Sequence, residues 1–236
     1  VYCYINAKDI QNADALIGRM QTDLAKDPKL ARTNFDIGNY FLNTAKDTEN
    51  ALKIHAYNAE HYPNVMEAMW SQAAVVWYHV RHNDSEKADA EYAKLLANYK
   101  GQETLPKEIF QIGDIYRDEK KNYEKAVSLY KYQLENWPNY GEPTDIYRKL
   151  ACTYIDMKDK ENADLIIQQM QTNRAKDPHL ARSNFDIANY FLNDANDPEN
   201  ALKIHKLNAD NHSDIMEAMW SQAALVWYYV RHDDQA

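Results

Sequence analysis

The stretch MEAMWSQAAVVWYHVRH, Met66 to His82, returns as MEAMWSQAALVWYYVRH, Met216 to His232. Its surroundings return with it. AKDPKLARTNFDIGNYFLN (Ala25 to Asn43) comes back as AKDPHLARSNFDIANYFLN (Ala175 to Asn193), and ENALKIH (Glu49 to His55) as Glu199 to His205. Matched residues lie 150 positions apart without a gap, and residues 1–86 share about 54 identities with residues 151–236. Self-similarity at a fixed offset marks a repeat architecture.

Within the quoted stretch, Met66, Met69, Trp70, Ala73, Ala74, Val76, Trp77 and Val80 follow the three-and-four rhythm of a helix with one buried face. The same rhythm runs along nearly the whole chain. Helix starts are marked by Asp27-Pro28, Asp177-Pro178 and Asp197-Pro198, where a capping carboxylate precedes a proline that needs no N–H partner. Asp47 before Thr48 and Asn122 before Tyr123 read as starts of the same kind. The pattern predicts helices over 2–8, 11–25, 28–43, 48–61, 65–82, 85–99, 106–118, 123–136, 144–157, 160–174, 178–193, 198–211 and 215–232. Short connections force neighbours antiparallel, so the chain reads as consecutive helical hairpins with no dividing linker.

Composition agrees. The 236 residues hold only 5 glycines and 7 prolines, too few for the turns of a strand-rich fold. A net charge of −9 argues against a nucleic-acid partner, whose phosphates call for Lys and Arg. No apolar run is long enough to span a membrane and no signal peptide opens the chain, so a soluble protein is expected. The chain opens and closes in mid-repeat and reads as a piece of a longer array. Cys3 and Cys152 fall out of register between the copies (Cys3 pairs with Thr153, Cys152 with Tyr2). They read as two small buried residues rather than a disulfide or metal site.

Inside the 150-residue unit runs a shorter period, clearest at 109–138. Ile109, Ile112, Gly113 and Tyr116 lie on one helix, followed by Ala126, Tyr130 and Pro138. This resembles the tetratricopeptide repeat (TPR), in which a large residue, a Leu-small pair and an aromatic precede an alanine, an aromatic and a closing proline. The set Asn34, Ile37, Gly38, Phe41, Ala51, His55 and Pro63 fits it. So does Trp70, Ala73, Ala74, Trp77, Ala88 and Tyr92, with Lys100 in place of proline, and so does Tyr147, Leu150, Ala151, Tyr154, Ala163 and Ile167. The resemblance implies an all-α fold: a right-handed superhelical solenoid of antiparallel helix hairpins, about six and a half of them. It places them at 1–26, 27–63, 64–101, 102–140, 141–176, 177–213 and 214–236, the first and last incomplete. The small residues (Gly38, Ala74, Gly113, Ala151, Ala188 and Ala224 on first helices) are expected where the two helices of a hairpin approach closest.

The last helix carries a full apolar face, and nothing follows it like the helix that follows its first copy, with Ala88, Tyr92, Leu95 and Leu96. Uncapped ends predict head-to-tail self-association.

No residue set calls for catalysis. His55 and His205 occupy a layer position and read as packed, hydrogen-bonded core histidines; His82 and His232 read as helix C-terminal caps. There is no HxxxH or CxxC pair for a metal, no Gly-rich phosphate loop, and the serine of WSQAA (Ser71, Ser221) sits in a helix interior. No cofactor and no metal are expected. In TPR arrays the first helix of each hairpin lines a concave groove. That resemblance, with helical spacing, nominates Arg32, Phe35, Asn39 and Asn43; Ser71, Val75, Tyr78 and His79; Lys107, Phe110, Asp114 and Arg117; Arg148 and Cys152; and Arg182, Phe185, Asn189 and Asn193. Asparagine amides can pair with a peptide backbone, and aromatics supply apolar contact at low entropic cost. The carboxylate clamp of chaperone-binding TPR proteins is incomplete here, because Phe35 stands where its first lysine would be.

The expected function is a non-catalytic scaffold that binds peptide segments or partner proteins in the groove. A structural spacer or self-associating rod, and a regulatory part of a larger enzyme, are the competing readings. Tyr62-Pro63 and Trp137-Pro138 are similar to hairpin ends in TPR proteins of the bacterial cell envelope, and the cytoplasm stays open as a compartment.

Overall fold

A computed structural model describes residues 1–231. His232, read above as a cap, lies outside the described residues. The described residues form thirteen α-helices and no strand. They are α1 (Tyr2–Asn6), α2 (Ile10–Asp23), α3 (Lys29–Tyr40), α4 (Thr48–His61), α5 (Met66–Arg81), α6 (Ser85–Tyr99), α7 (Leu105–Asp114), α8 (Tyr123–Asn136), α9 (Pro143–Asp156), α10 (Lys160–Asn173), α11 (Leu180–Asn193), α12 (Pro198–Asn211) and α13 (Met216–Arg231). α3 and α7 each run on into a π-helical turn, Phe41–Ala45 and Ile115–Glu119. The chain divides into two compact units, Val1–Lys120 and Lys121 onward. The division falls inside the hairpin read at 102–140.

One local device recurs throughout. Lys8, Lys46, Asn83, Lys121, Lys158 and Asn196 adopt positive φ between 52° and 59°, at intervals of 37 or 38 residues. Each is followed by a residue whose side chain caps the next helix. Asp9, Asp47, Asp84, Asn122, Asp159 and Asp197 accept the backbone N–H three residues on, at 3.1–3.3 Å. At three of these corners the preceding helix closes in a Schellman motif, in which the capping residue's own N–H bonds back across the turn: Asp9 to Tyr4, Asp84 to His79 and Asp159 to Tyr154, at 2.9–3.0 Å. A Lys/Asn–Asp/Asn pair therefore ends one helix and starts the next within two residues. Where the pair is followed by Asn at the third position, its amide also reaches the cap carboxylate, as in Asn50–Asp47 and Asn200–Asp197 at 2.7 and 2.6 Å.

Two expectations about starts change. Asp27 and Asp177 do not cap α3 and α11. They accept from Lys29 and His179 N–H, two residues on, in tight turns ahead of helices that begin later. Asp197 does cap α12 with Pro198 in its first turn.

In the first unit, Ile5, Ala13, Ile17, Ile37, Phe41, Ala51 and Ile54 form one buried cluster across α1 to α4. Burying an Ile or Phe side chain stabilises by about 1.5–3 kcal/mol. On the second helices of the hairpins, Ala51, Ala88, Ala126, Ala163 and Ala201 are all buried.

The register of α5 differs from the expectation. The α9 backbone turns at Lys158, seven residues after Ala151, with Tyr154 accepting the closing bond. α5 turns at Asn83 with His79 accepting the equivalent bond, which makes Val76 the counterpart of Ala151. The inter-hairpin set of α5 is thus Gln72, Val75, Val76 and His79, all buried, not Trp70, Ala73, Ala74 and Trp77. Trp70, Ala74 and Trp77 are only half-buried, and so is Ala224. Large aromatics drew the sequence alignment toward them, while the corner geometry fixes the true phase. Cys152 is buried but Cys3 is exposed, against the expectation of two buried cysteines; they form no disulfide.

Candidate functional site

α3, α4 and α5 bury a polar network. The Asn58 amide, fully buried, donates to the Ala31 carbonyl at 2.9 Å and to Ser71 Oγ at 2.8 Å. The same Ser71 Oγ lies 3.2 Å from His55 Nδ1, a contact whose donor is set by the imidazole tautomer. The second copy reproduces the arrangement: the Asn208 amide donates to Ala181 O and to Ser221 Oγ, both at 3.0 Å, and Ser221 Oγ lies 3.3 Å from His205 Nδ1. Both imidazoles are buried, and desolvation lowers each pKa to about 4, so both are neutral at pH 7. The His55 ring lies close over Gly38. A Cβ there would lie 2.7 Å from ring atoms Cε1 and Nε2. The close approach at this glycine is thus to a side chain rather than to the facing backbone. In the second copy Ala188 occupies the place.

Above each network sits an aromatic pair. Phe35 packs on Trp70 with centroids 5.4 Å apart and meets the His55 ring edge-on at 5.8 Å. Phe185 repeats this with Trp220 at 5.5 Å and His205 at 5.7 Å. The Arg182 guanidinium lies 5.9 Å from the Trp220 ring centre and is paired with Asp186 at 3.1 Å; Arg32 pairs likewise with Asp36. Phe35, Trp70, Phe185 and Trp220 are all half-buried. They are locked by packing from beneath and open on one side, a rigid apolar platform.

Of the nominated residues, the structure brings Phe35 and Phe185 onto these platforms with Arg32 and Arg182 one turn away. Asn39 and Asn189 follow on the same helices, half-buried, and Asn43 and Asn193 are exposed. Ser71, Val75, His79 and Cys152 are closed to solvent. The corrected α5 register accounts for the first three, and His79 turns to Asp84, Nδ1 to Oδ2 3.7 Å. Tyr78 stacks on His82 at 4.0 Å, and His82 Nδ1 lies 2.8 Å from the Tyr78 carbonyl, holding the last turn of α5. In α7, Lys107 is exposed while Phe110 and Asp114 are half-buried. Arg117 pairs with Asp118, and Arg148 with Asp145. Trp70 and Trp220 were not nominated. Their half-burial would have followed from the correct phase of MEAMW against the corner at Asn83.

In the second unit, α11 and α13 enclose an open cavity of about 570 Å³, lined by Asn189, Asn193, Ala223, Trp227, Tyr228 and Arg231 among others. Arg231 lies flat over Trp227, 3.4 Å from its centre. Among the described residues no cluster of His, Cys, Asp or Glu could hold a metal, and no helix is long and apolar enough to cross a membrane.

No family model and no curated protein matches the chain. A solved structure does: a crystal structure of nearly identical TPR-like repeats, provisionally assigned to a kinesin light chain of Podosopora anserina. The match has a TM-score of 0.51 at 12% identity and covers 79% of this chain and 96% of the other. The fold is a TPR-like helical repeat. Within each unit a first helix packs on a second across such a corner, as α3 on α4, α5 on α6, α9 on α10 and α11 on α12. Protein binding is typical of TPR-like folds.

Proposed function

We propose that this chain is a non-catalytic interaction module that takes extended peptide segments of partner proteins along the open faces of its first helices. The observation that carries this reading is the duplicated Phe–Trp platform, Phe35–Trp70 and Phe185–Trp220, seated on a rigid polar network. Pre-ordered aromatics lose little entropy when a ligand side chain lands on them, which is why such residues dominate binding energy. Asn39 and Asn189, one helical turn on, offer donors and an acceptor to a peptide backbone. Arg32 and Arg182 are already paired with Asp36 and Asp186, so the ligand contact is apolar and amide-like rather than anionic. The buried, neutral His55–Ser71 pair is sealed from substrate and does not act as a base and nucleophile. Nucleic acid is not the partner, given the net charge of −9.

Selection from a peptide-display library tests this. The reading expects binders carrying an apolar anchor, weakened about 10- to 100-fold by Phe35→Ala with Phe185→Ala at unchanged helical content. Selected peptides indifferent to both substitutions would refute it.

A further inference from the structure

The two copies part company at one joint between second helices. In the first copy Tyr57 of α4 reaches across to α2. Its hydroxyl donates to the Gln21 carbonyl at 3.3 Å, and its ring stacks on His61 at 3.8 Å. The second copy carries Leu207 for Tyr57 and Asn211 for His61. The walls around them are kept: Asp164, Ile167, Gln171, Lys203 and Ile204 repeat Asp14, Ile17, Gln21, Lys53 and Ile54. Beside Leu207, between α10 and α12, these walls enclose a cavity of about 310 Å³. That is the lower end of the size range of ligand sites. Ile167 and Ile204 are buried at its floor, Leu207 is half-buried, and Asp164 and Lys203 are exposed at its rim. Gln171 falls among the last four residues of α10, whose carbonyls have no partner within the helix. Tyr57 supplies a donor to the matching carbonyl in the first copy; Leu207 has none to give. The Gln171 side-chain amide turns instead to Asn184 Oδ1, which fixes that wall.

We infer that this cavity is a binding site for a phenol ring, the side chain of a ligand tyrosine. The ring rests on Ile167, Ile204 and Leu207, and the hydroxyl donates to the Gln171 carbonyl. The first copy supplies the template, because it fills the same place with a phenol of its own and gives its hydroxyl to the same carbonyl. The opening follows from the change of Tyr57 to Leu207, a loss of one ring with the surrounding wall residues unchanged. The rim offers one carboxylate and one ammonium, which suits a neutral ring rather than a phosphorylated or sulfated one. The site lies on α10 and α12, other helices than those of the Phe185–Trp220 platform, and does not rest on the reading given for that platform.

The test titrates N-acetyl-tyrosinamide into the full chain with labelled isoleucine and leucine methyls and follows their NMR shifts. Saturable shifts at Ile167, Ile204 and Leu207 are expected, with a dissociation constant on the order of millimolar for so small a ligand. N-acetyl-phenylalaninamide, which lacks the hydroxyl, should bind about 3- to 10-fold more weakly. Leu207→Tyr installs the ring of the first copy and should weaken binding more than about 10-fold, because the cavity is then filled from within. The reverse change, Tyr57→Leu, should open a second site, read as new shifts at Ile17 and Ile54, with circular dichroism checking that each variant keeps the helical content of the parent. Phe185→Ala should leave the constant unchanged. No saturable shift at about 20 mM ligand overturns the inference. Equal binding of the two amides overturns the assignment of a phenol. Binding that survives Leu207→Tyr, or that falls with Phe185→Ala, places the ligand elsewhere and overturns the site.

Discussion

Replacing Asn58 by alanine should unfold the first unit far more readily than an ordinary polar truncation. The Asn58 amide satisfies two buried acceptors, the Ala31 carbonyl at 2.9 Å and Ser71 Oγ at 2.8 Å, and its own oxygen lies 3.5 Å from the Asn34 amide. Alanine removes both good bonds and leaves the buried Asn34 amide without its acceptor. A net hydrogen bond is worth about 1 kcal/mol, and a buried polar group left unpaired costs about 1–3 kcal/mol more. The sum is a loss of about 3 kcal/mol, which lowers the melting temperature of a unit this size by about 10 °C. Asn208→Ala should do the same to the second unit, since Asn208 makes the same bonds to Ala181 and Ser221. Urea unfolding followed by circular dichroism, with one variant of each, measures both. A loss below about 0.5 kcal/mol in either would refute the claim that these networks hold the helices together.

Other outcomes follow from the same structure. Glu108 is buried, its Oε2 has no partner, and desolvation raises its pKa to about 7 from an ordinary 4.5. The folded state therefore binds the proton more tightly, stability falls as pH rises from 4.5 to 7, and above that the ionised carboxylate costs about 3 kcal/mol. Glu108→Gln should remove most of that slope in thermal melts taken from pH 5 to pH 8. For His55 and His205, with pKa values lowered to about 4, the unfolded state takes up the proton first. Their contribution is full above about pH 6.5 and drains as pH falls toward 4, at about 3 kcal/mol each, and NMR should show both rings still neutral at about pH 5. At the corners, Lys121→Gly and Lys158→Gly relieve a left-handed backbone that disfavours a side chain. Each should stabilise by about 0.5–1 kcal/mol in denaturant melts, whereas valine at either position should destabilise.

Much of the architecture was legible because its signals are local. Helices show as three-and-four spacing, and the 150-residue duplication fixes equivalent positions without any structure. What stayed hidden depends on phase and on third partners. Trp70 and Trp77 look like core anchors to any pattern that rewards size, yet the corner at Asn83 assigns the core to Gln72, Val75, Val76 and His79. Nothing in the sequence singles out Asn83 as having positive φ, because lysine, which has no left-handed preference, fills the same place at four of the six corners. Asp27 and Asp177 look identical to Asp197 as Asp-Pro starts, but only Asp197 has a helix beginning at once behind it. The candidate platform was half visible. Phe35 and Phe185 followed from groove spacing, while their tryptophan partners needed the helix rotation. His55 was legible as a core histidine, but its bond to Ser71 joins residues 16 apart and could come only from the packed helices.

The central claim is that peptide partners land on the Phe–Trp platforms. Its most direct measurement is NMR shift mapping with the tightest display-selected peptide added to labelled chain. The account predicts the largest changes at the indole N–H signals of Trp70 and Trp220 and at the backbone of Phe35, Asn39, Phe185 and Asn189. Changes confined to second helices such as α4, α8 and α12, with both indoles unmoved, would contradict it.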